Sequence, residues 1–372
     1  MIKFDVSRKW TVLVPSGLDA VQPAGADLRR ILGLFRAQAG LSLKEPPVQD
    51  SSAPIDSSIP IIALNGEPGS SANGFSWRFG IDRIEICGAS ERGLCNGIYD
   101  FLAALGVSWP KPGQEILPKP RPDHPAEYPL RAASAYQSTA KDPGRLRRLV
   151  FTGETPLPRR EEFLVWAARN RIDALVLPFT EKPRFPFPVG LGGKPGRARE
   201  SLLGLAKQYA LSVEIGGWGL GRMISRRLFI KKDIFRMEGG KRIRNYNFCP
   251  TNPDTIALLR TEARKRFGEY PDTLVFHLWP DRNAEHLWCS CPSCRAFSRE
   301  EQNRIAVNTA ADVLTETSPE AKISYYENYE NTGDPGANPN EVSPRPNMFR
   351  LRFLPGQEGA EKAGIFLAEP RE

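Results

Sequence analysis

The chain has 372 residues, 40% hydrophobic and 25% charged, with 51 basic against 43 acidic residues and a formal net charge of +8. That balance describes a folded globular protein, long enough for two domains or for one large barrel with an appendage, and it excludes a disordered chain. No run approaches the ~18 consecutive apolar residues of a spanning helix, so a membrane protein is not expected.

The N-terminal stretch "MIKFDVSRKWTVLVPSG" has no apolar h-region and no small-residue cleavage site, so the sequence as it stands reads as cytoplasmic by default. Residues 1–125 alternate short strands with two helices and form the expected small α+β domain. Leu28, Ile31, Leu32 and Phe35 recur at helical spacing before Gly40. A strand, "RIEICGAS", leads to a second helix with Ser90 as N-cap, Leu94, Ile98, Phe101, Leu102 and Leu105 as its apolar face, and Gly106 as its stop. The Pro- and Lys-rich "PKPGQEILPKPRPDHP" reads as a domain border.

From 126 to 372 strands and amphipathic helices alternate. "LRAASAY" reads as the first strand, "IDALVLP" as the second and "LSVEIGG" as the third; "TLVFHLWP", "KISYYENY" and "NMFRLRFLP" follow. The intervening helices carry Phe163, Trp166 and Ala167, then Leu202, Leu205, Ala206 and Tyr209, on one face each. Asn252 with Pro253, and Ser298 with Glu301, mark the starts of the last two. Buried strands alternating with helices mean a parallel sheet, and their number favours an α/β barrel of the (β/α)8 (TIM) type over an open sheet. Only seventeen residues follow the sixth strand, too few for two more βα units, so the barrel is expected to be incomplete at its C-terminal end.

Charge is concentrated. Between Gly219 and Phe248 nine basic residues face two acidic ones, which suggests either an anionic ligand or a solvated loop paired with acids elsewhere. No nucleic-acid reading motif accompanies the patch, and nucleic acid is not the expected partner. Sulfur is concentrated too. "HLWCSCPSC" packs His286, Cys289, Cys291 and Cys294 into nine residues of a chain with six cysteines and three histidines. Together with Cys249, whose long loop could fold back, they would give a closed tetrahedral zinc site, with His286 able to replace one sulfur. In an oxidising compartment the same residues could form one or two disulfides, and buried inert thiols are the third reading. A catalytic metal is the least favoured, because no open position with a carboxylate ligand is evident.

Three spaced motifs carry a resemblance: "EIGGWGL", "RRLFIKKDIFRMEGGKRIRNYNFCPTNP" and "FHLWPDRNAEHLWCSCPSC". In this order they resemble the uncharacterised domain-of-unknown-function 4838 family. "SERGLCNGIYDFLAALGVSWPKPGQEILP" is similar to the end of the domain that precedes the barrel in family 67 α-glucuronidases and family 20 hexosaminidases. Where that resemblance leads one to expect a histidine after two glycines, the chain has Trp218. The resemblance implies a glycoside hydrolase-like protein that acts on or binds a carbohydrate, with a catalytically inactive or truncated carbohydrate-binding homologue as the other reading.

Such chemistry uses two carboxyl groups across the glycosidic bond, and a barrel collects them at the C-terminal strand ends. Asp281, first polar residue after the fourth strand, and Glu327, on the fifth, are the catalytic candidates; Glu214 also falls on the third strand. Each has a plainer reading, Asp281 as a loop cap and Glu327 as an outward strand residue. Trp218 and Tyr329 are candidates for stacking on sugar rings and Asn283 for a polar contact. Arg227 and Arg242 of the basic segment would grip a uronic acid. Family 20 enzymes place an Asp-Glu pair after the fourth strand. Here the pair is Asp281 and Arg282, which argues against substrate-assisted hexosaminidase chemistry.

Overall fold

A computed structural model of the protein describes residues 3–17, 21–51, 58–66, 74–130, 135–138, 147–151, 157–179, 195–220, 232–280, 288–326, 342–353 and 365–370. The chain divides into two compact units, residues 1–149, 156–175 and 190–212 forming one and residues 150–155, 176–189 and 213–372 the other.

The first part of the chain carries β1 (Lys3–Asp5), β2 (Thr11–Val14), α1 (Gln22–Gln38), β3 (Val48–Asp50), β4 (Ile61–Gly66), β5 (Phe75–Phe79), β6 (Arg83–Gly88), α2 (Glu91–Ala104), β7 (Glu127–Pro129) and β8 (Ala135–Ser138). A six-stranded sheet runs in the order β3-β2-β4-β6-β5-β8, and β1 pairs with β7 apart from it. Leu28, Ile31, Leu32 and Phe35 of α1 are buried as their spacing predicts, and α2 is capped by Ser90, whose side chain accepts from the backbone of Gly93. Gly40 and Gly106 follow the two helices with positive φ.

One expectation needs correcting. Of the segment "LRAASAY", read as the opening barrel strand, Ala135 and Tyr136 begin β8 instead, which pairs antiparallel with β5 at the edge of this first sheet. Alternation of apolar residues identifies a strand but not the sheet it joins.

The second half of the chain carries β9 (Arg148–Phe151), α3 (Leu157–Arg169), β10 (Ala174–Leu177), α4 (Pro195–Gln208), β11 (Ser212–Trp218), β12 (Phe235–Glu238), β13 (Lys241–Phe248), α5 (Pro253–Gly268), β14 (Val275–Trp279), α6 (Arg299–Thr317), β15 (Lys322–Tyr326), β16 (Met348–Phe353) and β17 (Ile365–Pro370). The strands β9-β10-β11-β14-β15-β16-β17 close into a barrel. β11, β14, β15 and β16 pair in parallel, and β17 returns antiparallel to β16. This is the expected α/β barrel short of eight parallel strands. Its last strand uses the residues that were too few for another βα unit. β9 and β17 are the two barrel strands that pattern reading did not find.

Between β11 and β14 the chain makes a hairpin of β12 and β13. Gly239 and Gly240 turn it, both with positive φ, as a two-residue hairpin turn of this hand requires. α5 starts on Asn252, whose side chain accepts from Thr255, and α6 on a complete capping box between Ser298 and Glu301.

Candidate functional site

The barrel interior is built in layers, because alternate residues of each strand point inward. Trp279, Leu351, Ala368, Val150 and Val176 form one inward cluster, with Trp218, Tyr326, Phe349, Phe353 and Phe366 packed on it. Trp218, Trp279, Tyr326 and Phe353 each lie at or next to the C-terminal end of a parallel strand, and Phe366 enters from β17 alongside. Together they floor the barrel mouth. Trp218 stacks on Phe353 with ring centroids 4.6 Å apart and an interplanar angle of 18°, and Trp279 meets Trp218 edge-on at 4.8 Å. Trp218, Tyr326, Phe353 and Phe366 keep part of their surface exposed.

Below that floor lies a polar layer that pattern reading did not anticipate. Glu214 of β11, His277 of β14 and Ser324 of β15 are buried. His277 Nε2 lies 2.7 Å from Glu214 Oε2, and His277 Nδ1 lies 2.5 Å from Ser324 Oγ. Trp279 Nε1 donates to the same Ser324 Oγ at 3.0 Å. One proton arrangement gives each donor its own acceptor. The indole N–H donates to Ser324, the Ser324 hydroxyl donates to Nδ1, and Nε2–H donates to the Glu214 carboxylate. His277 is then the neutral ring with its proton on Nε2.

The strands must come close for this to happen. Gly216, at φ +125°, pairs in register with His277, and a Cβ there would meet the His277 carbonyl oxygen at 2.0 Å. A serine, a histidine and a carboxylate in a row have the composition of a nucleophilic triad. At 0 to 3% exposure, with the hydroxyl already accepting from Trp279, the three side chains form an interior hydrogen-bonded row. Glu214 is thereby removed from the mouth: it is an interior acceptor.

The other predicted residues divide. Asp281 and Asn283 (segment 281–287), Glu327 and Tyr329 (327–341), Arg227 (221–231) and His286 lie outside the described residues. Trp218 is part of the aromatic floor. Arg242 lies on the β12–β13 hairpin. Its Nη1 donates to the Phe235 carbonyl at 2.8 Å and reaches Cys289 Sγ at 3.7 Å. Burial works against its charge. The hydrogen bond to Cys249 and the nearby cysteine sulfurs outweigh that and raise its pKa.

Cys249, Cys289, Cys291 and Cys294 do come together. All four are buried, and their sulfurs lie within 4.8 Å of one another. Cys249 Sγ is 3.7 Å from Cys291 Sγ and 3.6 Å from Cys294 Sγ, and no pair is bonded as a disulfide. Cys249 follows β13, and its N–H donates to Ile234, which ties it to the base of the hairpin. The other three lie between β14 and α6. Gln302 of α6 holds that segment: it accepts from the Cys289 N–H at 3.0 Å and donates to the carbonyls of Cys289, Cys294 and Phe297. The Met237 N–H donates to Cys289 Sγ at 3.2 Å, and Thr251 Oγ1 lies 3.1 Å from Cys294 Sγ. Among themselves the thiols titrate unequally. Hydrogen bonds from Cys289 and Cys294 hold Cys249 far below the ordinary thiol range, and the same bonds push those two up.

Comparison with known proteins bears on the fold. The β-N-acetylhexosaminidase of glycoside hydrolase family 20 from Streptomyces coelicolor A3(2) is similar over 97% of this chain and 68% of its own, with a TM-score of 0.53 at 11% identity. The chitobiase of Flavobacterium johnsoniae matches 87% of this chain and 50% of its own, with a TM-score of 0.52 at 13% identity. The N-acetyl-β-hexosaminidase of Streptomyces plicatus matches 87% and 62%, with a TM-score of 0.51 at 12% identity. This chain has the fold of family 20 hexosaminidases. It spans about half to two thirds of the length of most of these structures, and identities this low speak for the fold alone. No family model matches the chain, and no curated protein matches it in sequence. Among the described residues, no helix is long and apolar enough to cross a membrane.

Proposed function

We propose that the protein is glycoside hydrolase-like and takes a carbohydrate at the C-terminal mouth of its barrel. The observation that carries this is the partly exposed aromatic floor of Trp218, Tyr326, Phe353 and Phe366. Aromatic faces match the apolar faces of sugar rings, and barrel enzymes bind substrate at this end. The family 20 fold is consistent with it. Asp281 follows directly on Trp279 and Pro280 at the end of β14, and it is the general acid in this reading, with Glu327 as the second carboxylate. Asn283 and Tyr329 are the polar and stacking contacts. Arg227 and Arg242 would pair with a uronic acid, and Arg242 also reaches Cys289 Sγ at 3.7 Å. The motif order supports kinship with the domain-of-unknown-function 4838 family, and the segment from Ser90 to Pro118 supports, by its sequence resemblance, an α-glucuronidase-like precedent.

A second reading, a carbohydrate-binding homologue without activity, has its own support. The one carboxylate whose side chain is described on the barrel strands is Glu214, and it is buried against His277. A screen of the full chain against aryl glycosides, uronides included, and a glycan-binding assay separate the two. Turnover that falls by about 10²-fold or more in Asp281→Asn supports the hydrolase. Binding without turnover supports the second reading, and neither activity overturns both.

A further inference from the structure

We propose that Cys249, Cys289, Cys291 and Cys294 bind one zinc ion in a closed, structural tetrathiolate site that staples the β12–β13 hairpin to the segment following β14. The spacing of the sulfurs is the first argument. Zn–S bonds of about 2.3 Å in a tetrahedron put neighbouring sulfurs about 3.8 Å apart. The Cys249 sulfur lies 3.6 and 3.7 Å from two of its partners, and all four lie within 4.8 Å. A disulfide would draw two of them to about 2.05 Å and leave the other two without a role.

The surroundings are the second argument. Four thiolates around a divalent ion carry a net double negative charge, which a buried site must offset with donors. The structure supplies them: the Met237 N–H and the Arg242 guanidinium toward Cys289, and the Thr251 hydroxyl toward Cys294. Gln302 then fixes the backbone that presents Cys289 and Cys294. Such groups around a set of soft ligands are what tune a metal centre, and uncharged packing has no use for an arginine here. All four positions of the tetrahedron are protein sulfur, so the site has no open position for a substrate.

Position gives the site its purpose. The hairpin belongs to the connection that leaves the C-terminal end of β11, and Cys289 to Cys294 belong to the connection that leaves β14. In neither case does the strand pairing of the barrel hold the connection. Cys249 sits at the foot of the hairpin, and the Ser290 N–H and hydroxyl both bond to the Met237 carbonyl. An ion at the four sulfurs locks that junction. Binding releases the remaining thiol protons and involves no electron transfer.

The test uses the full chain, purified without added metal or chelator. Elemental analysis is expected to find one zinc per chain, and the content is expected to be lost in Cys291→Ser and kept in Cys87→Ser, whose thiol lies outside the cluster. Because Cys291→Ser could fail to fold, a measurement on the unmodified sequence stands beside it. Exchange of the metal for cobalt(II) is expected to give the visible ligand-field bands of a tetrahedral ion and the intense near-ultraviolet bands of thiolate ligation. Full-length protein that holds no zinc and shows no such bands overturns the proposal. So does protein in which any two of the four resist alkylation until a disulfide is reduced, or which carries iron in place of zinc.

Discussion

Glu214, His277 and Ser324 lie inside the barrel, and Cys249, Cys289, Cys291 and Cys294 lie beside it, yet both groups are buried polar clusters assembled from segments far apart in sequence. The first is complete in itself. Each donor has an acceptor, from the Trp279 indole to the Glu214 carboxylate, and Gly216 lets the strands approach closely enough to allow it. The second is not complete in the same sense. Its four sulfurs face one another, with donors from Met237, Thr251 and Arg242 arranged as if for more negative charge than thiols carry. A buried polar group must be satisfied by something. In the barrel the neighbouring strands do it, and at the cysteines the proposed zinc ion would do it.

The comparison breaks or sharpens under perturbation. The largest effect is expected from a strong chelator, which removes the cation from one cluster and leaves the other untouched. Hydrogen exchange should rise first in the β12–β13 hairpin and residues 288–297, with β14 and β15 still protected. Equal loss of protection in those strands would mean that the two clusters are not independent. Next comes His277→Ala, which strands a buried carboxylate and a serine and opens a cavity. About 3 to 5 kcal/mol of stability is expected to be lost in urea denaturation, with zinc content unchanged. A cost near zero would show that water replaces the ring without penalty.

A smaller effect is expected at Ser298, which caps α6 four residues beyond the last cysteine. Ser298→Ala should cost about 1 kcal/mol and leave the metal content intact, since Gln302 still holds the cysteine backbone. The smallest effect lies in the first unit and acts through pH. Burial opposes the charge of Glu115, but the Arg30 fork and the Trp109 N–H hold its pKa below the ordinary carboxylate value. A depressed carboxyl stabilises the fold above its unfolded pKa, about 4.3, and that contribution fades as pH falls through the folded one. Glu115→Gln should therefore flatten the acid limb of the stability profile.

The local decisions were legible in the sequence, because they are made within one or two helical turns. Ser90, Asn252 and the Ser298–Glu301 box start their helices, the buried face of α1 follows its spacing, and the apolar runs of β10, β11, β14, β15 and β16, five of the seven barrel strands, were legible. The density of cysteine in residues 289–294 also marked a site before its partner was placed. Tertiary structure alone decided which sheet a strand joins, so that Ala135–Ser138 went to β5 and Arg148–Phe151 to the barrel. It alone aligned Gly216 with His277 and His277 with Ser324, and it brought Arg242 within reach of Cys289. Helix caps are short-range hydrogen bonds between residues three apart, so their signature is written in consecutive letters. Strand register joins residues some 50 to 60 positions apart, and only the closed barrel, by burying its inner face, makes one alignment far better than its neighbours.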